Sequence, residues 1–166
     1  MDAVHMRRLP CLILGAGAAG MFAAAQAGPG TVVVEHMGVP GEKIRISGGG
    51  RCNFTNLYAS PENFLSANPH FAKSALARYT QWDFIDLVDR HGIGWHEKTL
   101  GQLFCDGKSA AIIGMLQEEM ARAGAELWLS TTLDEVTRGE SGFRCRLTRE
   151  GRSLEVEAET LVIAAG

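Results

Sequence analysis

The start of the chain is a series of apolar stretches that do not alternate with polar residues. Residues 11–14 form an apolar run that stops at a glycine, residues 18–27 are rich in strong helix formers, and residues 31–35 are β-branched and apolar. This order predicts a strand, a helix and a second strand. Strands without alternation are buried on both faces, as in a parallel sheet covered by helices. We expect the first strand to be central.

The middle of the chain has the period of helices that pack by one face. Two short helices are expected within residues 57–108, and Thr80 with Asp83 has nearly the spacing of a capping box for the second. Residues 109–123 repeat the amphipathic pattern before a glycine, and residues 126–130 predict the next strand. We interpret residues 57–108 as an insertion of helices and loops.

The last part of the chain changes to a period of two. Apolar and charged residues alternate over 143–148 and 154–159, which predicts half-exposed antiparallel strands in a small meander. Arginines on the first strand are expected opposite glutamates on the second. Residues 161–165 are apolar throughout and predict a separate, buried parallel strand. Because a central strand at the end of a domain leaves an apolar face bare, we expect the chain to be part of a longer protein.

These patterns together predict one α/β domain over residues 1–166, with a Rossmann-like parallel sheet, a small antiparallel meander and extra packing helices. A chain of 166 residues, 46% hydrophobic and 21% charged, is long enough for one packed domain. The net charge is −3 and no run of five or six like charges occurs, so no nucleic-acid partner is expected.

The cysteines and histidines show no metal-binding pattern. The four cysteines form neither a CxxC pair nor a zinc-type spacing with histidines, which predicts no metal and favours a reducing compartment. His91, His96 and Glu97 are interpreted as a helix end and a surface strand rather than metal ligands. No catalytic residue is assigned, because Cys52 has no second cysteine at CxxC spacing.

The N-terminal region imitates a secretory signal. Arg7 and Arg8 precede residues 9–34, which carry no charge. Glycines interrupt this stretch, whereas a signal peptide needs a continuous apolar helix, and a membrane span needs more Leu, Ile, Val and Phe. We therefore expect a cytoplasmic protein with no membrane partner.

Residues 15–20 spell GAGAAG, a complete GxGxxG motif between the first strand and the first helix. Gly15 permits a tight turn, Gly17 allows the backbone to approach a pyrophosphate, and Gly20 lets the helix pack on the strand. Glu35 stands twenty positions after Gly15, where an acidic side chain accepts hydrogen bonds from an adenosine ribose. FAD or NAD is expected over NADP, and the alternative is a close helix–strand contact without a ligand.

A second glycine-rich segment, GEKIRISGGGRCNFTN, occupies residues 41–56. It has no periodicity, so we expect that it forms no packed element and needs a ligand or partner to be ordered. Consecutive glycines allow backbone N–H groups to converge on an anion, and Lys43, Ser47, Arg51 and Asn53 add donors. The alternative is a flexible, solvated loop.

These motifs, with LGQLFCDGKSA at 100–110 and the terminal LVIAAG, resemble the BaiN/YhiN-like family of bacterial FAD-dependent oxidoreductases. The resemblance covers essentially the whole chain, and SGGGRCNFTN is its most specific part. It implies a two-dinucleotide-binding-domain flavoprotein fold with FAD as cofactor and NAD(P)H as the expected electron donor. Family members are more than twice this length, so a substrate domain and a C-terminal segment completing the FAD site are expected outside these residues.

The resemblance also implies the residues that hold FAD. Residues 15–20 are expected at the pyrophosphate, Glu35 at the ribose, Lys43 at the ribose or phosphate, 49–53 at the pyrophosphate and flavin, and the backbone near Leu133 at the adenine. Ala165 stands where the family usually has threonine. The full set of expected cofactor-binding residues is Gly15, Ala16, Gly17, Ala18, Ala19, Gly20, Glu35, His36, Lys43, Gly49, Gly50, Arg51, Cys52, Asn53, Leu133, Ala165 and Gly166.

Four functional hypotheses follow. The leading one is the FAD-binding portion of an oxidoreductase that acts on a small unsaturated or keto substrate. The others are an NAD-binding module, a flavoprotein acting on RNA, which the charge disfavours, and a non-catalytic fragment without cofactor. The oligomeric state is left open.

Overall fold

The computed structural model describes residues 6–166, so the first five residues of the predicted domain lie outside the described part. The chain forms two compact units. The first comprises the residues up to Lys43 together with Leu116–Gly166, and the second comprises Ile44–Met115.

The elements alternate between strands and helices along most of the chain. The strands are β1 (Arg7–Leu14), β2 (Val32–Val34), β3 (Asn53–Asn56), β4 (Trp95–Glu97), β5 (Gln102–Cys105), β6 (Glu126–Trp128), β7 (Thr131–Arg138), β8 (Phe143–Arg149) and β9 (Arg152–Ile163). The helices are α1 (Ala18–Ala27), α2 (Glu42–Ile46), α3 (Lys73–Arg78), α4 (Gln81–Arg90) and α5 (Ala110–Arg122). Short 3-10 turns occur at Ser47–Gly50, Pro61–Asn63 and Thr99–Gly101.

The first unit is built on a six-stranded sheet in the order β6-β2-β1-β9-β8-β7. The contacts β6–β2, β2–β1 and β1–β9 are parallel, and β9–β8 and β8–β7 are antiparallel. All three valines of β2 are buried, as expected for a strand covered on both faces. The predicted α/β class with a mainly parallel sheet is confirmed, and β1 lies inside the sheet as expected.

The meander shows one correct and one wrong prediction. Arg144 lies opposite Glu157 and Arg146 opposite Glu155, as the alternation predicts. Residues 161–163 pair in parallel with β1 as predicted, but the prediction of a separate, buried strand is wrong, because β9 runs from Arg152 to Ile163 and Ile163 is exposed. Residues 152–158 of β9 pair with β8 and residues 156–163 pair with β1, so the change of sequence pattern falls where the pairing with β8 ends.

Helices α4 and α5 follow the sequence pattern. At the start of α4 the Thr80 backbone N–H donates to the Asp83 carboxylate at 2.7 Å, and the Asp83 N–H donates to the Thr80 hydroxyl at 3.3 Å. In α5 the apolar face, including Ile112 and Leu116, is buried. Within residues 6–166 no helix is both long and apolar enough to cross a membrane.

The second unit contains a three-stranded antiparallel sheet in the order β3-β5-β4. The surface strand expected at His96 and Glu97 corresponds to β4, whereas β3 and β5 were not predicted. The predicted insertion at 57–108 falls inside this unit. The expectation that residues 41–56 form no packed element is wrong, because they form α2, a 3-10 turn and β3 and bury Ile44.

Candidate functional site

The glycine turn between β1 and α1 is a site of very close backbone packing. Gly15 has φ = 103°, and its N–H donates to the Val34 carbonyl at 2.8 Å. A Cβ at Gly15 would lie 2.6 Å from the Ala164 carbonyl oxygen, and one at Gly20 would overlap the Gly15 carbonyl oxygen. Glycine is therefore required at both positions by contacts within this unit.

The N-terminus of α1 is open. Gly17 is the N-cap residue, and no described side chain caps it. A Cβ at Gly17 would meet no atom of residues 6–166 within 4 Å, and Ala18 and Ala19 are exposed. The first N–H groups of a helix lack intrahelical acceptors and carry partial positive charge, so this end can bind an anion such as a pyrophosphate.

Glu35, directly after β2, joins the strand end to the glycine turn. One carboxylate oxygen accepts from the Ala16 N–H at 2.9 Å, and the other accepts from the Met37 N–H at 3.0 Å. The second oxygen also lies 2.9 Å from Nδ1 of His36, whose side chain is 71% exposed while that of Glu35 is 11% exposed. A carboxylate has about four acceptor positions, so the Ala16-bound oxygen retains one for a ribose hydroxyl.

Lys43 brings a positive charge to the end of β9. A Cβ at Gly166 would lie 2.8 Å from the Lys43 ammonium nitrogen. The Ala164 N–H donates to the Leu14 carbonyl at 2.8 Å, and the Gly41 N–H donates to the Ala16 carbonyl at 2.8 Å. These contacts bring together the predicted residues of the first unit, namely residues 15–20, Glu35, His36, Lys43, Ala165 and Gly166.

Leu133 lies in β7, opposite Leu147, with its side chain against the core of the first unit. The backbone that reaches the Glu35 segment comes just before it. The Thr131 N–H donates to the Glu35 carbonyl at 2.9 Å, and the Ser130 N–H donates to the Met37 carbonyl at 3.0 Å. The expected adenine contact near Leu133 stays a prediction.

The remaining predicted residues, 49–53, lie in the second unit. Gly48, Gly49 and Gly50 have φ of 58°, 66° and 86°, and Cys52 has φ of 56°. A Cβ at Gly48 would lie 2.5 Å from the Phe104 ring, whereas at Gly49 and Gly50 it would meet no described atom within 4 Å. The backbone at these two glycines is therefore open to close approach by a ligand.

Residues 100–110, the LGQLFCDGKSA segment, hold the loop that contains Gly48, Gly49 and Gly50. The Ser109 N–H donates to the Gly50 carbonyl at 2.8 Å, and the Ser109 hydroxyl donates to the Arg45 carbonyl at 3.1 Å. The Cys105 N–H donates to the Arg51 carbonyl at 3.2 Å. The loop is thus ordered by its own unit, which corrects the expectation that it needs a ligand or partner.

Cys52 is a buried thiol with a changed acidity. The neighbouring Cys105 thiol lowers the pKa of Cys52 from 9.0 to about 7, while burial opposes the change. The same contact raises the pKa of Cys105.

The histidine of β4 has a carboxylate partner. His96 Nδ1 lies 2.7 Å from the Asp106 carboxylate. Among residues 6–166 no group of three or more His, Cys, Asp or Glu is arranged to hold a metal.

A glycine turn, an acidic residue after β2 and an open helix N-terminus on a mainly parallel sheet define the Rossmann-type dinucleotide-binding domain of flavoproteins. Comparison with known families agrees with this class. The chain belongs to the family described as the HI0933-like protein Rossmann domain, which residues 9–166 match. The resemblance found from the sequence motifs is confirmed.

Two curated relatives are similar over nearly the whole chain. A ribosomal RNA dihydrouridine synthase of Escherichia coli K12 is 52% identical over 164 residues, which cover 97% of this chain and 40% of the relative. A protein of the same name from Haemophilus influenzae is 46% identical, with 93% of this chain and 39% of the relative covered. The chain therefore spans about two fifths of the length of these relatives.

A solved structure is also similar in fold. The 3-ketosteroid-delta4-(5alpha)-dehydrogenase from Rhodococcus jostii RHA1 aligns with a TM-score of 0.70 and 17% identity. The alignment covers 99% of this chain and 47% of the dehydrogenase. At this identity the likeness concerns the fold alone.

Proposed function

We propose that this chain is the FAD-binding part of a flavin-dependent oxidoreductase. The observation that carries the proposal is the open N-terminus of α1 at Gly17, in the same unit as the Glu35 carboxylate and the Lys43 ammonium. An anion-binding helix end, a hydroxyl acceptor and a cation are the groups that a dinucleotide requires. These three groups, and the space left by the absent Cβ at Gly17, therefore fit FAD.

Each group of residues has a distinct task in this proposal. The first N–H groups of α1 and Lys43 would hold the pyrophosphate, and Glu35 would accept from the adenosine ribose. For residues 49–53 of the second unit, cofactor contact stays the prediction that the family resemblance implies, and the open backbone at Gly49 and Gly50 would admit a ligand. When bound, the flavin supplies two-electron transfer, and NAD(P)H is the electron donor we propose.

The substrate class we propose for the whole protein is uridine in ribosomal RNA. The support is the name shared by the two relatives, of which the first is 52% identical to this chain. Conversion of uridine to dihydrouridine adds one hydride and one proton across a carbon–carbon double bond, which is chemistry that a reduced flavin supports. A cytoplasmic location, favoured by the four free cysteines, suits such a substrate.

The charge of this chain bears on where RNA would bind. Its net charge is −3, and some of its arginines are paired with glutamates, for example Arg146 of β8 with Glu135 at 2.7 Å and Arg8 of β1 with Glu157 at 3.2 Å. Phosphate binding depends on unpaired basic groups. We therefore assign RNA binding to the part of the relatives that this chain does not span. The expectation of a small-molecule substrate without nucleic acid stays the alternative.

Two experiments test the proposal at separate levels. An absorbance spectrum of the purified full-length protein is expected to show bound flavin, and a colourless protein that binds NAD instead would overturn the FAD assignment. Ribosomal RNA from cells lacking the gene is expected to lose dihydrouridine and to regain it on expression of the full-length protein. Unchanged dihydrouridine in a protein that does hold flavin would reject the RNA substrate and leave the small-molecule alternative.

A further inference from the structure

Two cysteines that are far apart in the sequence lie side by side in the second unit. Asn53 pairs with Phe104 in the antiparallel β3–β5 ladder, so Cys52 and Cys105 occupy the next opposite positions. The Cys105 N–H donates to the Arg51 carbonyl at 3.2 Å and to the Cys52 carbonyl at 3.4 Å, and the Cys105 thiol is close enough to lower the pKa of Cys52. A disulfide spans two Cα atoms about 4.4–6.8 Å apart, and residues joined by a backbone hydrogen bond across a ladder lie at about this separation.

The protein's other two cysteines are in different surroundings. Cys11 lies in β1 and Cys145 in β8, both in the first unit. Burial raises the pKa of both thiols, which keeps them protonated and unreactive near neutral pH. A thiol oxidant is therefore expected to distinguish the Cys52–Cys105 pair from Cys11 and Cys145.

We propose that Cys52 and Cys105 are a redox-active pair that hydrogen peroxide converts into a disulfide. The Cys52 sulfur attacks one peroxide oxygen, the O–O bond breaks, and the other oxygen leaves as water, so that Cys52 becomes a sulfenic acid. The Cys105 sulfur then attacks the Cys52 sulfur, the S–O bond breaks, and the sulfenic oxygen leaves as a second water. Two thiols and one peroxide thus give one disulfide and two waters.

The two cysteines have unequal roles. Cys52, whose pKa is about 7, is substantially a thiolate at neutral pH and is the group that meets the peroxide. Cys105 stays protonated in the resting pair because the neighbouring Cys52 raises its pKa. Once Cys52 is a neutral sulfenic acid, its negative charge no longer opposes ionisation of Cys105, which can then attack as the resolving thiol. Cys52 is 4% exposed and Cys105 is fully buried, so the oxidant must be small.

The bridge would fix the end of the glycine loop to β5. The Cys52 N–H already donates to the Ser47 carbonyl at 3.1 Å, which closes the turn that contains the three glycines. A covalent bond from Cys52 to Cys105 adds a cross-link at that turn. The proposal depends on the two thiols alone, so it can succeed or fail independently of FAD binding.

Peptide mapping of the peroxide-treated full chain tests the pair directly. Free thiols are blocked with iodoacetamide, and the digest is analysed without reduction. The expected result is one cross-linked peptide pair containing Cys52 and Cys105, lighter than the two thiol peptides by two hydrogen atoms and separated by dithiothreitol. A disulfide between other cysteines, or oxidation that leaves Cys52 as an unreacted thiol, would overturn the proposal.

Two variants assign the roles. Cys105→Ala is expected to leave a sulfenic acid on Cys52 that dimedone captures when the oxidised protein is unfolded in its presence, and to shift the pH midpoint of Cys52 oxidation upward from near 7. Cys11→Ala is the matched control and is expected to keep the cross-link and the midpoint. Loss of the cross-link in Cys11→Ala would contradict the assignment. If Cys105→Ala does not fold, the peptide map of the unaltered chain decides.

Discussion

The backbone N–H of Ala16 donates to the carboxylate of Glu35 at 2.9 Å. The glycine turn is therefore tied to the residue after β2 by the protein itself. An acidic side chain at this position is expected from sequence to bind a ribose, and the structure adds a second task, the ordering of the turn that receives the pyrophosphate.

Glu35 is predicted to contribute to stability as well as to ligand binding. Glu35→Ala removes acceptors from the Ala16 and Met37 N–H groups and is expected to lower the free energy of unfolding by about 1.5–3 kcal/mol, the range for hydrogen bonds to charged groups. Urea denaturation measures the change. Glu140→Ala, at an exposed position after β7, is the control and is expected to change stability by less than about 0.5 kcal/mol. Equal stability of both variants would remove the structural task from Glu35.

Gly20 and Gly114 are predicted to respond in opposite directions to alanine. In α1, Gly20→Ala places a Cβ on the Gly15 carbonyl oxygen and is expected to prevent folding or destabilise the protein strongly. In α5, Gly114→Ala meets no described atom within 4 Å and is expected to stabilise by about 0.5–1 kcal/mol. Thermal unfolding followed by circular dichroism distinguishes them. A Gly20→Ala protein with an unchanged melting temperature would contradict the close packing of α1 on the turn.

Ser109 is predicted to order the second glycine loop. Ser109→Ala loses the hydroxyl bond to the Arg45 carbonyl but keeps the backbone bond to Gly50, so a cost of about 0.5–1.5 kcal/mol is expected. Amide hydrogen exchange across residues 47–52 is expected to accelerate. Ser153→Ala, in β9, is the control, and its exchange at 47–52 should equal that of the unaltered chain. Equal exchange in Ser109→Ala would show that the hydroxyl does not hold the loop.

The acidity of Cys52 predicts a rise in stability with pH. Its pKa is about 7 in the folded protein and 9.0 in the reference thiol, so between these values the unfolded chain binds more protons at this position than the folded chain. The free energy of unfolding is expected to increase from pH 7 to pH 9, and the contribution is lost as the pH falls through 7. Urea denaturation at several pH values measures the slope. Cys52→Ala removes the titrating thiol and should reduce the slope, and an equal slope would contradict this origin.

Local signals made much of the first unit predictable from sequence. Residues 15–20 carry the strand–turn–helix pattern within a few positions. The start of α4 is predicted by the capping residues Thr80 and Asp83. The sequence predicts two strands where the structure has the single strand β9. The alternation of apolar and charged residues stops near the point where pairing with β8 ends and only pairing with β1 continues. That change depends on pairing between distant segments, which periodicity does not record.

The second unit depends even more on contacts between distant segments, which the sequence pattern does not show. The hydrogen bonds from Ser109 to Gly50 and Arg45, and the contact of Cys105 with Cys52, join motifs that are separated by α3, α4 and β4. The sequence showed both motifs as specific but gave no sign that one holds the other. Cys52 therefore had no recognisable partner until the β3–β5 register placed Cys105 opposite it.

The affinity of Gly17→Val for FAD tests the central proposal most directly. Gly17 has φ of −81° and open space where a side chain would begin, so larger residues are compatible with the fold but occupy the position proposed for the pyrophosphate. Isothermal titration of the full-length protein is expected to show loss of FAD binding in Gly17→Val and normal binding in Gly114→Ala. The Gly17→Val apoprotein is expected to stay folded, with only the modest loss of thermal stability that valine causes at an N-cap. Equal FAD affinity in Gly17→Val and the unaltered protein would show that the cofactor does not bind at the N-terminus of α1.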